Sequence, residues 1–287
     1  MKIKNECIPC LVRQAVEVAE LMASDKETQE KIIKHGLERM NELDFNETAP
    51  AVAKDLHHYV RRVTGNLDPY KALKDTYNKI AEELVQTLKL ENKVAESSDP
   101  FDTACRLSIA GNIIDFGLGI SLDRSDVQCS IEESLVRPIS GDSTELLKCC
   151  VARADKIMFL TDNAGEIVFD KLLIKQLPVD RVTYVVKGGP IVNDATMEDA
   201  QDVGMTELVR VIDNGYDAQG TLLEYCSEEF KKAFDAADLI ICKGQANYET
   251  LSDLKDPRLF YLLRAKCISI AEDIGCPKGA FVIKQHL

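Results

Sequence analysis

Hydrophobic spacing divides the chain into two stretches with different periods. Up to about residue 95, apolar side chains recur at helical intervals, as at Leu11, Ala15, Val18, Ala19 and Met22, which predicts helices with one buried face. Ser24 followed by Glu27 reads as a capping box opening a second helix. Val52, Leu56, Tyr59 and Val63 form a third apolar face, stopped by Gly65. Asp68-Pro69 places an N-cap and a first-turn proline ahead of Leu73, Tyr77, Ile80 and Leu84. Asp99-Pro100 repeats that signal before a mostly apolar helix through Cys105, Ile109 and Ile113.

From about residue 155 the pattern changes to short β-rich runs alternating with helical stretches. The predicted strands are Lys156 to Thr161, Arg181 to Lys187, Leu208 to Asp213, Leu239 to Lys243, Cys267 to Ala271 and Ala280 to Lys284. Alternation of this kind implies a mostly parallel sheet covered on both faces. The expected fold is α/β, a Rossmann-like three-layer arrangement with an all-helical N-terminal region. The expected division is a helical region over 1–95 and an α/β metal- and phosphate-binding domain over 96–287. No internal repeat or low-complexity segment interrupts either.

Composition narrows the function classes. The 287 residues are 45% apolar, as in a globular chain with a real core. The longest apolar runs, such as Ile157 to Leu160, are strand-sized, so no membrane span is expected. The opening Met-Lys-Ile-Lys-Asn-Glu-Cys lacks an apolar signal core. Ten mostly scattered cysteines fit a reducing cytoplasm better than a disulfide framework. A net charge of −13 argues against a nucleic-acid partner, whose phosphates it would repel. A small phosphorylated substrate is still compatible, because a bound cation inverts the local field.

In open α/β sheets ligands bind beyond the carboxyl ends of the strands, so the residues that follow each predicted strand matter most. They are Asp162-Asn163-Ala164-Gly165-Glu166, then Lys187-Gly188-Gly189-Pro190 with Asn193-Asp194, then Asp213-Asn214-Gly215, then Lys243-Gly244 with Asn247. Two carboxylates and an amide oxygen are hard ligands suited to Mg²⁺ or Mn²⁺. Lys243 could neutralise a transferred phosphoryl group, and backbone N–H groups of the glycine loops could cradle its oxygens. Each piece also has a plainer reading. Asn163 with Glu166 makes a capping box, Asn193 or Asp194 could cap the next helix, and Asp213-Asn214-Gly215 could be an ordinary turn.

The segment Asp162-Asn163-Ala164-Gly165-Glu166 resembles the signature of the damage-control phosphatases, the metal-dependent family that includes the ARMT-type acidic-residue proteins. The likeness extends in order along the chain. Ser108 to Asp115 resembles the family's Gly-Asn-x-x-Asp helix, and Lys187 through Asp194 its second strand and aspartate. Lys243 to Glu249 resembles its Lys-Gly-x-x-Asn-Tyr loop. Cys7-Ile8-Pro9-Cys10 with Arg13-Gln14, and Asp68-Pro69-Tyr70, resemble its short prokaryotic branch. The resemblance implies hydrolysis of phosphorylated sugars or damaged phosphometabolites by a metal-activated water, with Mg²⁺ or Mn²⁺, or alternatively Co²⁺ or Ni²⁺. It implies Asp162, Asn163 and Asp194 as metal ligands and Lys243 on the phosphate. Asn112 and Asp115 would contact substrate or order the ligands, and Glu166 or Asp115 would orient the water. Gly165, Glu166, Lys187, Gly244 and Asn247 would complete the substrate side. Gln219 stands where the family pattern has proline, a departure that bears on substrate contacts.

Cys7 and Cys10 have metal-ligand spacing, and Cys276 is a candidate third thiolate; packing as small buried hydrophobes is the plainer alternative. His57-His58 reads as the solvated face of a helix. Two other functions compete. One is a SAM-dependent carboxyl methyltransferase, because Asp115-Phe116-Gly117-Leu118-Gly119 loosely mimics a nucleotide-binding loop, although it follows a helix and not a strand. The other is a non-catalytic metal-binding protein built on the cysteine pair. Oligomeric state is not legible in the sequence.

Overall fold

The computed structural model describes residues 1–112 and 124–285. Asp115, the Asp115–Gly119 segment and His286 therefore lie outside the described residues. In chain order the elements begin with α1 (Cys7–Met22), α2 (Lys26–Asn41), α3 (Ala49–Thr64), α4 (Lys71–Thr87), α5 (Leu90–Ala95), α6 (Pro100–Gly111) and α7 (Arg124–Val136). They continue through β1 (Ile139–Gly141), α8 (Thr144–Arg153), β2 (Ile157–Leu160), α9 (Glu166–Ile174), β3 (Val182–Val186), α10 (Met197–Asp202) and β4 (Arg210–Asp213). The last are α11 (Glu228–Ala236), β5 (Leu239–Lys243), α12 (Gly244–Leu251), β6 (Leu259–Arg264), α13 (Ile268–Ile274) and β7 (Phe281–Gln285).

The seven strands form one sheet in the order β1-β7-β6-β5-β2-β3-β4, parallel from β6 through β4, with β7 antiparallel to β6 and parallel to β1. After β2 the chain winds outward through β3 and β4, then returns to β5 on the other side of β2. The crevice between β2 and β5 is thus the topological switch point, where such folds bind ligands. Side chains alternate across the sheet. Ile157 and Phe159 join the core under α6 and α9, while Met158 and Leu160 join the core under α11, α12 and α13. A separate cluster of α1–α3 side chains packs with Tyr70 onto Ile191 and Val192, so the helical region reaches the loop after β3.

Local signals set most element ends. Gly65 adopts the left-handed conformation that closes α3, and the Asp99 side chain accepts from Phe101 N and Asp102 N to start α6. Other expectations are corrected. Asp25, not Ser24, caps α2, accepting from Thr28 N. The run Cys267 to Ala271 is helical: its β-branched residues open α13, Cys267 is the N-cap and Gly275 ends it. The strand in that region is instead Leu259–Arg264, whose leucines pack on both faces of the sheet. The short edge strand β1 carried too little pattern to be read. His57 is buried and His58 half-buried, so this pair is not a solvated face.

Candidate active site

The loops after β2 and β3 are zipped together by backbone hydrogen bonds. Ala195 N donates to Asp162 O (2.9 Å), Ala164 N to Asn193 O (2.8 Å) and Lys187 N to Ala195 O (2.9 Å). Asn163 and Asp194 pair as an antiparallel bridge. Residues far apart in sequence, Asp162, Asn163 and Asp194, are thereby set side by side and buried. Across the crevice, Gly244 has φ +75°, and a Cβ there would lie 1.9 Å from Asp162 Oδ2. Only glycine lets β5 come this close to the carboxylate.

Asp162 Oδ2 accepts from Asn112 Nδ2 (2.8 Å) and Asn163 Nδ2 (2.9 Å). Glu166 Oε2 accepts from the same two amides at 2.7 and 3.3 Å. The plainer capping readings fail here. The Asn163 side chain faces Asp162 and Glu166, α9 has no side-chain cap, and α10 is capped by a Thr196–Asp199 box, not by Asn193 or Asp194.

Behind this layer lies a buried ion cluster. Lys243 Nζ donates to Ser108 O (2.9 Å), Glu166 Oε1 (2.6 Å) and Asp170 Oδ1 (2.6 Å). An ammonium has three donors, and all three are taken, so Lys243 does not face a phosphate; that expectation is corrected. Burial works against its charge, but the Asp170 and Glu166 carboxylates outweigh it and push Lys243 up to about 12. Burial pushes the Asp170 carboxyl up, while Lys243, Ser108 Oγ and Tyr184 OH all donate to it. Glu166 is equally committed, to Lys243 and both asparagines, which makes it an orienting group and not a water-binding base.

Other expected substrate contacts also prove to be internal. Gly165 N donates to Asn78 Oδ1 (2.7 Å), and Gly188 N is taken by Tyr216 O and Asn214 Oδ1. Neither N–H can cradle a phosphate. Asn247 Nδ2 donates to Thr161 O and Lys243 O, and its Oδ1 accepts from Thr221 Oγ1. It pins the ends of β2 and β5 together. Lys187 alone of the two strand-end lysines lies on the ligand side, with Nζ 2.5 Å from Gly220 O and 3.4 Å from Asp194 Oδ2. Gly220 belongs to the turn around Gln219, and Asp213-Asn214-Gly215 is indeed a turn, with Gly215 N donating to Asp213 Oδ1.

Sequence reasoning missed Lys74, Asn78, Asp170 and Asp199. Asn78 Nδ2 donates to Asp199 Oδ1, whose other oxygen accepts from Thr196 and Lys74. This chain of bonds carries α4 to both site loops. A carboxamide on a predicted helix face gives no local hint of such a role.

The donor set fits a hard divalent cation. Four buried carboxylates (Asp162, Glu166, Asp170, Asp194) meet two buried lysines (Lys187, Lys243), leaving two negative charges in excess. Asn112 Oδ1 and Thr161 Oγ1 are buried oxygens without a hydrogen-bond partner among the described residues. Among the described residues no three His, Cys, Asp or Glu side chains are placed to hold an ion. A cation here would draw on two carboxylates and amide oxygens, a donor set that would suit Mg²⁺-like ions over zinc. The three-thiolate expectation is corrected as well. Among the described residues Cys7, Cys10 and Cys276 are not placed to hold an ion together, and burial pushes the Cys276 thiol up.

The switch-point position and the hard oxygen donors are those of an α/β protein with a site suited to a cation and an anionic ligand. The comparisons give the family. The damage-control phosphatase ARMT1-like domain matches residues 3–282, and the chain belongs to that family of metal-dependent phosphatases. It is 35% identical to a damage-control phosphatase of Pyrococcus horikoshii, covering 100% of this chain and 99% of that one. It is 34% identical to a damage-control phosphatase of Archaeoglobus fulgidus over 99% of each, and 39% identical to an uncharacterized Methanocaldococcus jannaschii protein over 100% of this chain and 96% of that one. The crystal structure of a DUF89 family protein from Pyrococcus horikoshii superposes with a TM-score of 0.90 at 31% identity, covering 100% of both chains. Among the described residues no helix is long and apolar enough to cross a membrane.

Proposed function

We propose that this chain hydrolyses phosphate monoesters of small sugars or damaged metabolites, with Asp162, Asn163 and Asp194 holding Mg²⁺ or Mn²⁺. The observation that carries this reading is the zipping of the β2 and β3 loops, which gathers those three buried side chains in a polar cluster with two excess negative charges. When bound, a divalent cation supplies positive charge to the phosphoryl oxygens and a lowered pKa to the attacking water. The chain's own residues prepare that chemistry. Glu166, held by Lys243, pins the amides of Asn112 and Asn163 with their NH₂ groups toward the acids. Lys187 stands beside Asp194 as the cation available to the phosphoryl group. The turn around Gly220, which accepts from Lys187, forms the wall next to the substrate's organic part.

The test is phosphate release from a panel of sugar phosphates and a generic aryl phosphate, after chelation and with each divalent metal restored singly. Activity that vanishes with chelator and returns best with Mg²⁺ or Mn²⁺ supports the reading. Full activity in the chelated protein would overturn the metal mechanism, and no release with any metal would overturn the reaction class.

A further inference from the structure

The side-chain amide of Asn112 is held in one orientation by its surroundings. Its Nδ2 lies 2.8 Å from Asp162 Oδ2 and 2.7 Å from Glu166 Oε2. An ionised carboxylate only accepts, so the NH₂ group must face both acids; the reversed amide would set its oxygen against two carboxylate oxygens. Asn112 Oδ1 is thereby directed elsewhere, and it is buried without a hydrogen-bond partner among the described residues. The residue as a whole is 1% exposed. A buried acceptor left without a donor is costly, and this one belongs to a side chain already bonded to Asp162.

The fold brings it there by close packing. Asn112 ends α6, and a Cβ at the preceding Gly111 would lie 2.8 Å from Phe169 Cβ. Glycine lets α6 sit directly on α9, so that the residue capping the end of one helix meets Glu166 at the start of the other. The second asparagine of the site is held by the same partners, since Asn163 Nδ2 also donates to Asp162 Oδ2 and Glu166 Oε2. The two acids orient both amides alike, and what makes Asn163 a ligand applies equally to Asn112.

We infer that Asn112 Oδ1 is a protein ligand of the divalent cation, a fourth beside Asp162, Asn163 and Asp194. This rests on the metal site proposed above. The chemistry suits the ion: two carboxylates match its charge, two neutral amide oxygens add hard donors without further charge, and about two of the six octahedral positions stay open for water and a phosphate oxygen. It also ties metal binding to the end of α6, so that the helical layer and the sheet share one ion.

The experiment uses the full chain loaded with Mn²⁺ alone, its asparagines labelled with ¹³C at Cγ, and pulsed hyperfine spectroscopy to count ligated amide carbonyls. Two couplings of directly ligated strength are expected in the wild type and one in Asn112→Ala. The same variant should bind Mn²⁺ at least ~10-fold more weakly by titration. A single coupling in the wild type, or two that survive Asn112→Ala, would overturn the assignment. So would wild-type Mn²⁺ affinity in Asn112→Ala with only KM raised, which would make the oxygen a substrate contact. If that variant does not fold, Asn163→Ala replaces it: one remaining coupling supports Asn112, none removes it. Failure of the underlying metal site is separately visible, because Asp162→Ala would then bind Mn²⁺ as tightly as wild type.

Discussion

Two lysines stand at the carboxyl ends of β3 and β5, on either side of β2, and each is followed by glycine, yet the structure uses them differently. Lys243, at the end of β5, spends all three donors on Ser108 O, Glu166 and Asp170 inside the α6–α9 interface. Lys187, just past β3, lies between Asp194 and the Gly220 carbonyl on the ligand side. Both are nearly inaccessible, at 0% and 4% exposure. Burial therefore does not separate them; their partners do. A lysine with all three donors spent on a carbonyl and two carboxylates of the α6–α9 interface is a counter-ion for the scaffold. A lysine beside Asp194, which we propose as a metal ligand, would be placed for the reaction.

The largest expected effect tests that division directly. Lys243→Met strands Glu166 and Asp170 as uncompensated buried acids, and loss of one partner from a buried ion cluster costs about 3–5 kcal/mol. Urea unfolding of the metal-free protein should show it. Lys187→Met should cost less stability and instead lower phosphate release about 100-fold, as loss of one preorganised charge at a reacting centre does. If Lys187→Met proves the more destabilising and Lys243→Met folds normally but is inactive, the two roles are reversed.

Gly244→Ala sharpens the comparison from the neighbouring residue. Its new Cβ would fall on the Asp162 carboxylate, at a φ that alanine adopts only with strain. The expected result is a loss of Mn²⁺ affinity of about 100-fold or more, read by calorimetric titration, because a carboxylate ligand is pushed off position. Unchanged affinity would mean that β5 and Asp162 can move apart freely, and that the crevice is less rigid than its packing implies.

What the sequence disclosed follows from range. Strand-end residues such as Asp162, Asp194 and Lys243 are legible because period and punctuation mark where strands stop, and position at a strand end is itself a chemical hint. Their partners are not legible. Gly165 meets Asn78 across 87 positions and Asn78 meets Asp199 across 121, and no local pattern reports a through-space contact. The same limit hides the partners of Lys243: Asp170 lies inside α9 among buried apolar residues, and nothing local marks it as a counter-ion. It explains Cys267–Ala271 too, where β-branched residues outvoted a cap and a glycine stop that made the segment a helix.

Asn78→Ala tests the third buried polar cluster against the two lysine clusters. The substitution leaves the Gly165 N–H and one Asp199 oxygen without their partner, at a cost of about 1–3 kcal/mol. Because Gly165 follows the ligand loop directly, Mn²⁺ affinity should fall several-fold along with stability. Asn78→Asp keeps the acceptor for Gly165 but faces Asp199 with a second acid, and should be no better than alanine. A variant that loses stability but keeps wild-type Mn²⁺ affinity would show that α4 supports the fold and not the ligands.

The smallest expected effect comes from a buried titratable group with no compensating charge, the opposite of the lysine clusters. Burial holds His57 down to about 3, with the Arg61 and His58 charges adding to the effect, against an ordinary value of 6.5. Among the described residues neither ring nitrogen has a hydrogen-bond partner. The folded state keeps the ring neutral while the unfolded chain takes up a proton below pH 6.5. Its contribution is therefore fully present above pH 6.5 and is lost as pH falls toward 3. At pH 5.5 the loss is about 1.4 kcal/mol. Asp217 acts lower: burial raises it, but hydrogen bonds from His58 and Arg61 outweigh that and hold it down to about 2, so its contribution fades only from about pH 4 downward. Glu249, which burial pushes up to about 7, titrates in the same interval as His57 with the opposite sign. The measurement is accordingly a difference: the urea midpoints of wild type and His57→Leu at pH 7.5 and pH 5.5. Wild type should lose more on acidification than the variant, since only wild type carries the ring that the unfolded chain can protonate. Equal losses would mean that the His57 ring finds a proton-accepting partner within the fold, and that this corner under the Pro190–Val192 loop is as well compensated as the lysine clusters.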